Sequence, residues 1–336
     1  MSVKFKAAVV QAAPVFMDLD ASIDKAIKLI EKASQEGANI VAFSETWFPG
    51  YPWWIWLSPT AHNIQYFQRY HENSLVVGSD QFQRLSDAAR ENNIYLSVGA
   101  SERDYGSLYI AQFLFSNTGE LIQARRKLKP THMERTVFGD GDGSDFGVFE
   151  TEVGRIGQLC CWEHLQPLSK YAMFSMHEQV HIAAWPSFST YPQAYSLGPQ
   201  ANLAASSVYA VEGQCFVLAP TAIVDQDMYD VLVDNDQKAA LIKLGGGYAQ
   251  IFGPDGQPLC ERLPENEEGL LFAEIDLGEI AIAKSFIDPV GHYSRPDVLR
   301  LMINKAPQHR TEPMFNVEVE SIGELSDDDT EPASVS

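Results

Sequence analysis

Cysteine is scarce in this chain. Only four occur in 336 residues, Cys160, Cys161, Cys215 and Cys260, and two of them are neighbours, so a disulfide framework is improbable. A reduced, cytoplasmic setting is expected. Basic residues are also few: 24 Lys and Arg stand against 45 Asp and Glu, a net charge of −21. Nucleic acid and anionic membrane both repel such a chain, which argues against either as a partner. Nowhere do about eighteen apolar residues run together, and the opening apolar stretch is broken by Gln11 before it reaches signal-peptide length. Neither a membrane span nor secretion is expected. His177 and His181 flank Glu178 without the His-Glu-x-x-His spacing of a zinc helix, so no metal site is expected either.

What the chain does have is apolar material for a large core, 45% hydrophobic and 11% aromatic residues. Hydrophobic periodicity predicts strands at residues 6–12, 39–43, 94–99, 155–160, 180–185 and 216–219, alternating with helices at 21–35, 80–91 and about 200–212. Gly37 ends the first helix. Residues 108–115 pair with 121–127 across Ser116-Asn117-Thr118-Gly119, and residues 248–252 meet Leu259 across Gly253-Pro254-Asp255-Gly256. The alternation predicts an α/β layered fold, and the hairpins make its sheets mixed rather than purely parallel. No linker or repeat divides residues 1–310, so one domain is expected there. Residues 311–336 hold eight acidic and no basic residues, with Asp327-Asp328-Asp329 near the end, and are expected to be a solvated, disordered tail.

Three predicted strands end on chemically capable side chains. The run 155–160 gives way to Cys161-Trp162-Glu163-His164. A thiol at a strand end is placed like a nucleophile, because backbone amides at a sharp turn can face the charge that develops on a substrate. Taken alone, the commoner fate of such a residue is an inert buried cysteine. The run 39–43 leads to Glu45, where the hydrophobic surroundings of Thr46-Trp47-Phe48-Pro49-Gly50-Tyr51-Pro52-Trp53-Trp54-Ile55-Trp56 would raise a carboxyl's pKa and suit a general base. A capping or loop acid is the bland alternative. Strand alternation in Arg125-Arg126-Lys127-Leu128-Lys129-Pro130-Thr131-His132-Met133-Glu134-Arg135 ends at Lys127, which favours it over Lys129 in the turn; an ordinary surface lysine is the competing reading. Glu134 either joins proton transfer or pairs with Arg135 or caps a turn. His164 would need an unusual turn to serve Cys161 as a base. Four of the six tryptophans fall between Trp47 and Trp56, either as packing or as an aromatic wall beside Glu45, with Trp162 and Trp185 as further wall candidates.

On these residues the chain resembles the nitrilase branch of the carbon-nitrogen hydrolase superfamily. The resemblance runs from Ala7-Ala8-Val9-Val10-Gln11-Ala12 to Asp288-Pro289-Val290-Gly291-His292-Tyr293-Ser294-Arg295-Pro296-Asp297, and residues 127–135 and 161–164 carry it most specifically. It implies a four-layer α-β-β-α sandwich whose subunits pair through outer helices. It assigns the nucleophile to Cys161, the general base to Glu45, the positive charge to Lys127 and a supporting carboxylate to Glu134. No cofactor or metal is needed. The implied reaction turns an organic nitrile into a carboxylic acid and ammonia through a thioimidate and a thioester, with Lys127 and the Trp162 amide stabilising the developing charge.

Gly50-Tyr51-Pro52-Trp53-Trp54-Ile55-Trp56 together with Ala183-Ala184-Trp185-Pro186-Ser187-Phe188-Ser189 is similar to bacterial nitrilases acting on arylacetonitriles. That makes Tyr51, Trp53, Trp162 and Trp185 the candidate substrate-binding residues, and an arylacetonitrile or arylaliphatic nitrile the expected substrate. An aliphatic amidase and a cyanide-hydrolysing enzyme of the same superfamily are the alternatives. From another class, a filament-forming structural protein with a vestigial site is conceivable, and the intact triad argues against it. Nitrilases similar to this chain associate into dimers that extend as open spirals, so a homo-oligomer is expected. His292, in the last matching segment, is expected to pack or hydrogen-bond near the site or an interface.

Overall fold

The computed structural model describes residues 2–309 and Thr311. The described residues up to Ala306 form one compact unit. The expected acidic tail, Thr311 excepted, lies outside the described residues.

Strand β1 (Lys4–Gln11) leads through α1 (Leu19–Gln35) to β2 (Ile40–Ala42), and α2 (Trp54–Leu57), α3 (Thr60–Glu72) and α4 (Asp80–Glu91) follow. Next come β3 (Tyr95–Asp104), β4 (Ser107–Phe115), β5 (Leu121–Arg126) and the short β6 (Phe138–Gly139). The second half carries β7 (Val148–Thr151), β8 (Gly154–Cys160), α5 (Pro167–Ser175), β9 (Val180–Ala184), α6 (Pro199–Gly213) and β10 (Phe216–Ala219). It ends with α7 (Gln226–Leu232), α8 (Asp236–Ala239), β11 (Gln250–Phe252), β12 (Gly269–Asp276) and α9 (Glu279–Phe286).

One sheet has the order β12-β1-β2-β3-β4-β5 with β6 paired on β4; the other has the order β11-β10-β9-β8-β7. In each, three successive strands run parallel and antiparallel strands complete both sides. Period-two alternation along β1 divides its residues between two cores. Ala8 and Val10 meet Ile23, Ala26 and Ile30 of α1, with Leu85 and Ala89 of α4 alongside. Ala7 and Val9 face the other way, into a core shared with Ile156, Val180, Ile182, Phe216 and Leu218 of the second sheet. The far side of that sheet packs Leu159, Ala183 and Val217 against Met173 and Phe174 of α5 and Tyr209 and Ala210 of α6. The result is a four-layer α-β-β-α sandwich. Helix α1 starts where Asp18 accepts the Ala21 amide, and its buried face comes from the apolar spacing; truncating Ile23 to alanine would cost about 2–5 kcal/mol.

Strands β2, β5, β8 and β9 end on one side of this sandwich, and Glu45, Lys127, Cys161 and Trp185 follow those ends. The carboxyl ends of parallel strands are where open α/β sheets bind ligands. Among the described residues no helix is long and apolar enough to cross a membrane.

Candidate active site

Three residues without glycine's freedom adopt left-handed backbone at these strand ends: Thr46 (φ 45°), His132 (φ 44°) and Cys161 (φ 46°). Such conformations cost on the order of 1–3 kcal/mol each and cluster where function over-determines the chain. Thr46 is the most unfavourable of the three, because its Cβ is branched. The turn at Glu45 also needs Gly99 on β3, where a Cβ would stand 2.2 Å from the Ser44 carbonyl oxygen. Cys161 comes directly after β8 and opens a short 3-10 turn over Cys161–Leu165.

Lys127 joins two carboxylates. Its Nζ lies 2.8 Å from Glu45 Oε1 and 2.8 Å from Glu134 Oε2, with all three side chains sealed from solvent. Burial pulls the Lys127 ammonium down, yet Glu134 and Glu45 together hold it well above its ordinary value. Burial pushes the Glu45 carboxyl up to about 8, with Lys127 opposing and Glu134 reinforcing the shift. Glu45 Oε2 has no hydrogen-bond partner. Glu134 is tied further, accepting the Tyr51 hydroxyl at 2.7 Å on Oε1 and the Thr131 amide at 2.6 Å on Oε2. The Cys161 thiol is held well above its usual range by burial and by Glu45, against the pull of Lys127.

A second buried ion pair fastens the cysteine turn to the end of β5. Arg125 grips Glu163 with two nitrogens, at 2.7 and 3.0 Å, while Glu163 also accepts the amides of Cys160 at 2.8 Å and Leu128 at 2.9 Å. Burial works to raise the Glu163 carboxyl, and Arg125 with those amides outweighs it and holds it below the ordinary value. Polar bonds cross between the sheets beneath the site: Ser97 donates to Gln158 at 2.9 Å and Gln158 to Gln123 at 3.1 Å.

Cys161 and Glu134 line a tight cavity of about 40 Å³ together with Tyr51, Trp53, Trp162 and Trp185. A wider cavity of about 540 Å³ adjoins it, lined by Leu57, His132, Met133, Tyr191 and Leu241 among others. Trp56, Thr131, Trp162 and Leu197 belong to both.

The family model described as carbon-nitrogen hydrolase matches residues 6–284. The chain belongs to that family. It is 58% identical to a nitrilase of Pseudomonas syringae pv. syringae (strain B728a), over 91% of this chain and 92% of that one. An aliphatic nitrilase of Rhodococcus rhodochrous is 51% identical over 90% of this chain and 83% of its own. An arylacetone-specific nitrilase of Alcaligenes faecalis is 50% identical over 94% and 88%. The crystal structure of a carbon-nitrogen hydrolase from Helicobacter pylori G27 superposes with a TM-score of 0.69 at 19% identity, over 88% of this chain and 96% of that one, and shares the fold.

Within this carbon-nitrogen hydrolase the aromatic run divides. Tyr51, Trp53 and Trp56 reach the cavities. Trp47 instead donates to the Ala12 carbonyl at 2.9 Å inside the helix-facing core, and Trp54 packs on Tyr66 and Tyr70. Trp162 and Trp185 are oriented through their indole nitrogens, to Asn202 at 3.1 Å and to Ser206 at 2.9 Å. Lys129 stays on the surface, paired with Asp140 at 2.6 Å. His292 is also away from the site, its side chain 87% exposed beside Asp288 at 3.7 Å. Residue-by-residue reading included Trp56 in the candidate aromatic wall but missed His132 and Tyr191 as cavity walls and Arg125 with Glu163 as a clamp. Trp56 and His132 stood in the quoted segments; Tyr191 gave no sequence signal, since only the loop after β9 brings its hydroxyl to the Trp56 carbonyl at 2.9 Å.

Proposed function

We propose that the chain is a nitrilase, converting an organic nitrile and two waters into a carboxylic acid and ammonia with Cys161 as nucleophile. The observation that carries this is Lys127 bridging Glu45 and Glu134 at 2.8 Å beside a cavity that Cys161 shares with Glu134. Glu45 Oε1 is committed to Lys127, which leaves Oε2 to take the thiol proton. The thiolate bonds to the nitrile carbon as one carbon–nitrogen π bond breaks, and the nitrogen takes the proton back from Glu45, giving a thioimidate. Water, deprotonated by Glu45, adds to that carbon as the remaining carbon–nitrogen π bond breaks; Glu45 returns that proton to the nitrogen, the new hydroxyl yields its own to it as well, and the carbon–nitrogen bond then breaks, so that ammonia leaves a thioester. A second water opens the carbon–sulfur bond, releasing the acid and restoring the thiol. The Lys127 ammonium and the Trp162 amide supply positive charge to each tetrahedral intermediate, a contribution worth roughly a hundredfold or more in rate. Glu134 holds Lys127 and Tyr51 in place.

The two cavities point to the substrate class. A cavity of about 150 Å³ takes a benzene ring, several times the inner space of about 40 Å³, which suits the nitrile and a slim neighbour. A ring would lie in the outer cavity among Trp56, Trp162, Tyr191 and Leu241, one or more carbons from the reacting centre. Arylacetonitriles and arylaliphatic nitriles have that shape. Identity to relatives does not make the choice, because the aliphatic and arylacetone-specific nitrilases are equally similar, at 51% and 50%.

Ammonia release from phenylacetonitrile, benzonitrile, propionitrile, cyanide and phenylacetamide tests both parts. Turnover of phenylacetonitrile with kcat/KM at least about tenfold above propionitrile is the expected result. Preference for the amide would make the chain an amidase; preference for propionitrile or cyanide would return the aromatic walls to packing.

Self-association into dimers that extend as spirals is the companion reading. It is supported by exposed apolar side chains on the outer helices, Leu168 on α5 and Val208 and Val211 on α6. A monomer by light scattering at micromolar concentration would overturn it.

A further inference from the structure

A second row of titratable groups is sealed into the second sheet, and the reaction above makes no use of it. Glu178, His181, His164 and Tyr209 are at most 3% exposed. Tyr209 donates its hydroxyl to Glu178 Oε1, and Glu178 Oε2 lies 2.9 Å from His181 Nδ1. His181 Nε2 is 2.8 Å from His164 Nε2, and His164 Nδ1 is 2.6 Å from the Cys161 carbonyl oxygen. The row has room only because β8 carries Gly157, where a Cβ would stand 2.3 Å from Glu178 Oε2. Both rings are clamped: Trp185 stacks on His164 at 5.1 Å and Tyr209 on His181 at 3.9 Å.

With Glu178 a carboxylate, counting protons leaves one arrangement. A carbonyl only accepts, so His164 Nδ1 carries a proton and donates it to Cys161. Glu178 receives two hydrogen bonds, from Tyr209 and His181, which favours the carboxylate and puts a proton on His181 Nδ1. Were both rings neutral, the two Nε2 atoms would then oppose each other as lone pairs at 2.8 Å. One more proton must lie between them. His181 has the Glu178 carboxylate on its other nitrogen and His164 only a carbonyl, so the proton belongs to His181.

We propose that Glu178, His181 and His164 form a proton-loaded relay of carboxylate, imidazolium and neutral imidazole that polarises the peptide joining Cys161 to Trp162 and holds the nucleophile turn in its left-handed conformation. Hydrogen bonds in series strengthen one another, so a donor on the Cys161 carbonyl makes the Trp162 amide of the same peptide a better donor. That amide also draws the Cys161 thiol down, against the burial that raises it. The relay thus ends on the group that would meet thiolate and tetrahedral charge. A buried ion pair of this kind adds little stability over apolar residues of equal volume, so stability alone does not account for it. Other charges near the row come from Arg125 and Lys170, which act on His164, and the Cys215 thiol faces Glu178. The three residues are positioning residues, and the inference rests on Cys161 being the nucleophile.

Glu178→Gln tests it. The glutamine amide can donate to His181 Nδ1, which leaves His181 neutral with its proton on Nε2; the hydrogen-bonded row survives and the charge goes. The expected outcome is a fall of about tenfold in kcat with KM changed less than about twofold. The rate of Cys161 alkylation by iodoacetamide, taken as the difference from Cys161→Ala, should shift to higher pH. A folded variant with unchanged kcat and an unchanged alkylation profile overturns the relay. A second measurement needs neither the variant nor turnover: in protein carrying ¹⁵N-histidine, one ring should be protonated on both nitrogens throughout the pH range in which the enzyme is active. That signal should vanish in His181→Gln. If every ring is neutral at the upper end, the proposal is wrong, whatever becomes of Cys161 as the nucleophile.

Discussion

Cys160 and Cys161 are consecutive, yet they belong to different cores. Cys160 packs with Met17, Ile110 and Leu232, whereas Cys161 sits with Leu159, Trp185 and Phe188 and opens on the inner cavity. The backbone makes the difference: Cys160 closes β8 with φ −107° and ψ 128°, and Cys161 turns to φ 46°. Burial holds both thiols up, so exposure to the cavity and the Trp162 amide, not acidity alone, distinguish the second.

Cys161→Ala should therefore abolish turnover while the protein keeps its circular dichroism spectrum, because the small side chain leaves little void and its loss removes the covalent route. Cys160→Ala is the matched control and should keep most of its activity. More than about 5% of wild-type rate in clean Cys161→Ala, far above what loss of a covalent nucleophile allows, would sink the assignment.

The two lysines just after β5 differ as sharply. Lys127→Ala removes the ammonium shared by Glu45 and Glu134 and should lose at least about a hundredfold in kcat. Lys129→Ala breaks only an exposed pair with Asp140, worth about 1 kcal/mol or less, and should leave kcat within about twofold. Steady-state rates on the preferred nitrile decide it, and equal losses would show the charge to be on the wrong residue.

Strand ends were the legible part of this chain. Apolar runs that stop before Glu45 and Cys161 mark buried strands by composition, alternation marks the strand that stops at Lys127, and the layered α/β class followed from the alternation of strands with helices. Less could be read where burial is incomplete. Strand β12 pairs with β1 over eight positions, from Lys4 with Asp276 to Gln11 with Gly269, but of its residues only Leu271, Ala273 and Ile275 are fully buried, while Leu270 and Phe272 cover the helix-facing core from a half-exposed edge. Helices α2 and α8 are four residues each, too short to show a period. Contacts between distant segments were not legible at all: Arg125 and Glu163 are 38 positions apart, and no local pattern links them.

That clamp should matter for stability. Glu163→Gln leaves the Arg125 guanidinium buried beside a neutral amide and weakens the bonds to the Cys160 and Leu128 amides, so it should destabilise folding by about 3–5 kcal/mol. Adding Arg125→Met removes the orphaned charge and should recover part of that loss. Urea unfolding of the single and double variants reads the coupling; a double variant no more stable than the single would mean that Arg125 finds another partner.

Glu45 ties activity and stability to pH in opposite directions. Its carboxyl is raised from 4.5 to about 8, chiefly by burial. A base works only when unprotonated, so kcat/KM should climb with pH along an acid limb whose midpoint lies near 8 and belongs to the set Glu45, Lys127, Glu134 and Cys161 rather than to one group. For stability, a folded-state value above the unfolded one means that folding binds a proton: the contribution is complete below 4.5 and is lost as pH rises through about 8. Glutamine has no such proton to lose. Glu45→Gln should thus be inactive at every pH, while its melting temperature relative to wild type rises by a few degrees as the buffer goes from about pH 5 to 9. A melting difference that stays constant across that range would show Glu45 to be ionised in the fold throughout, held so by Lys127, and its role as a base tuned towards neutrality would fall with it.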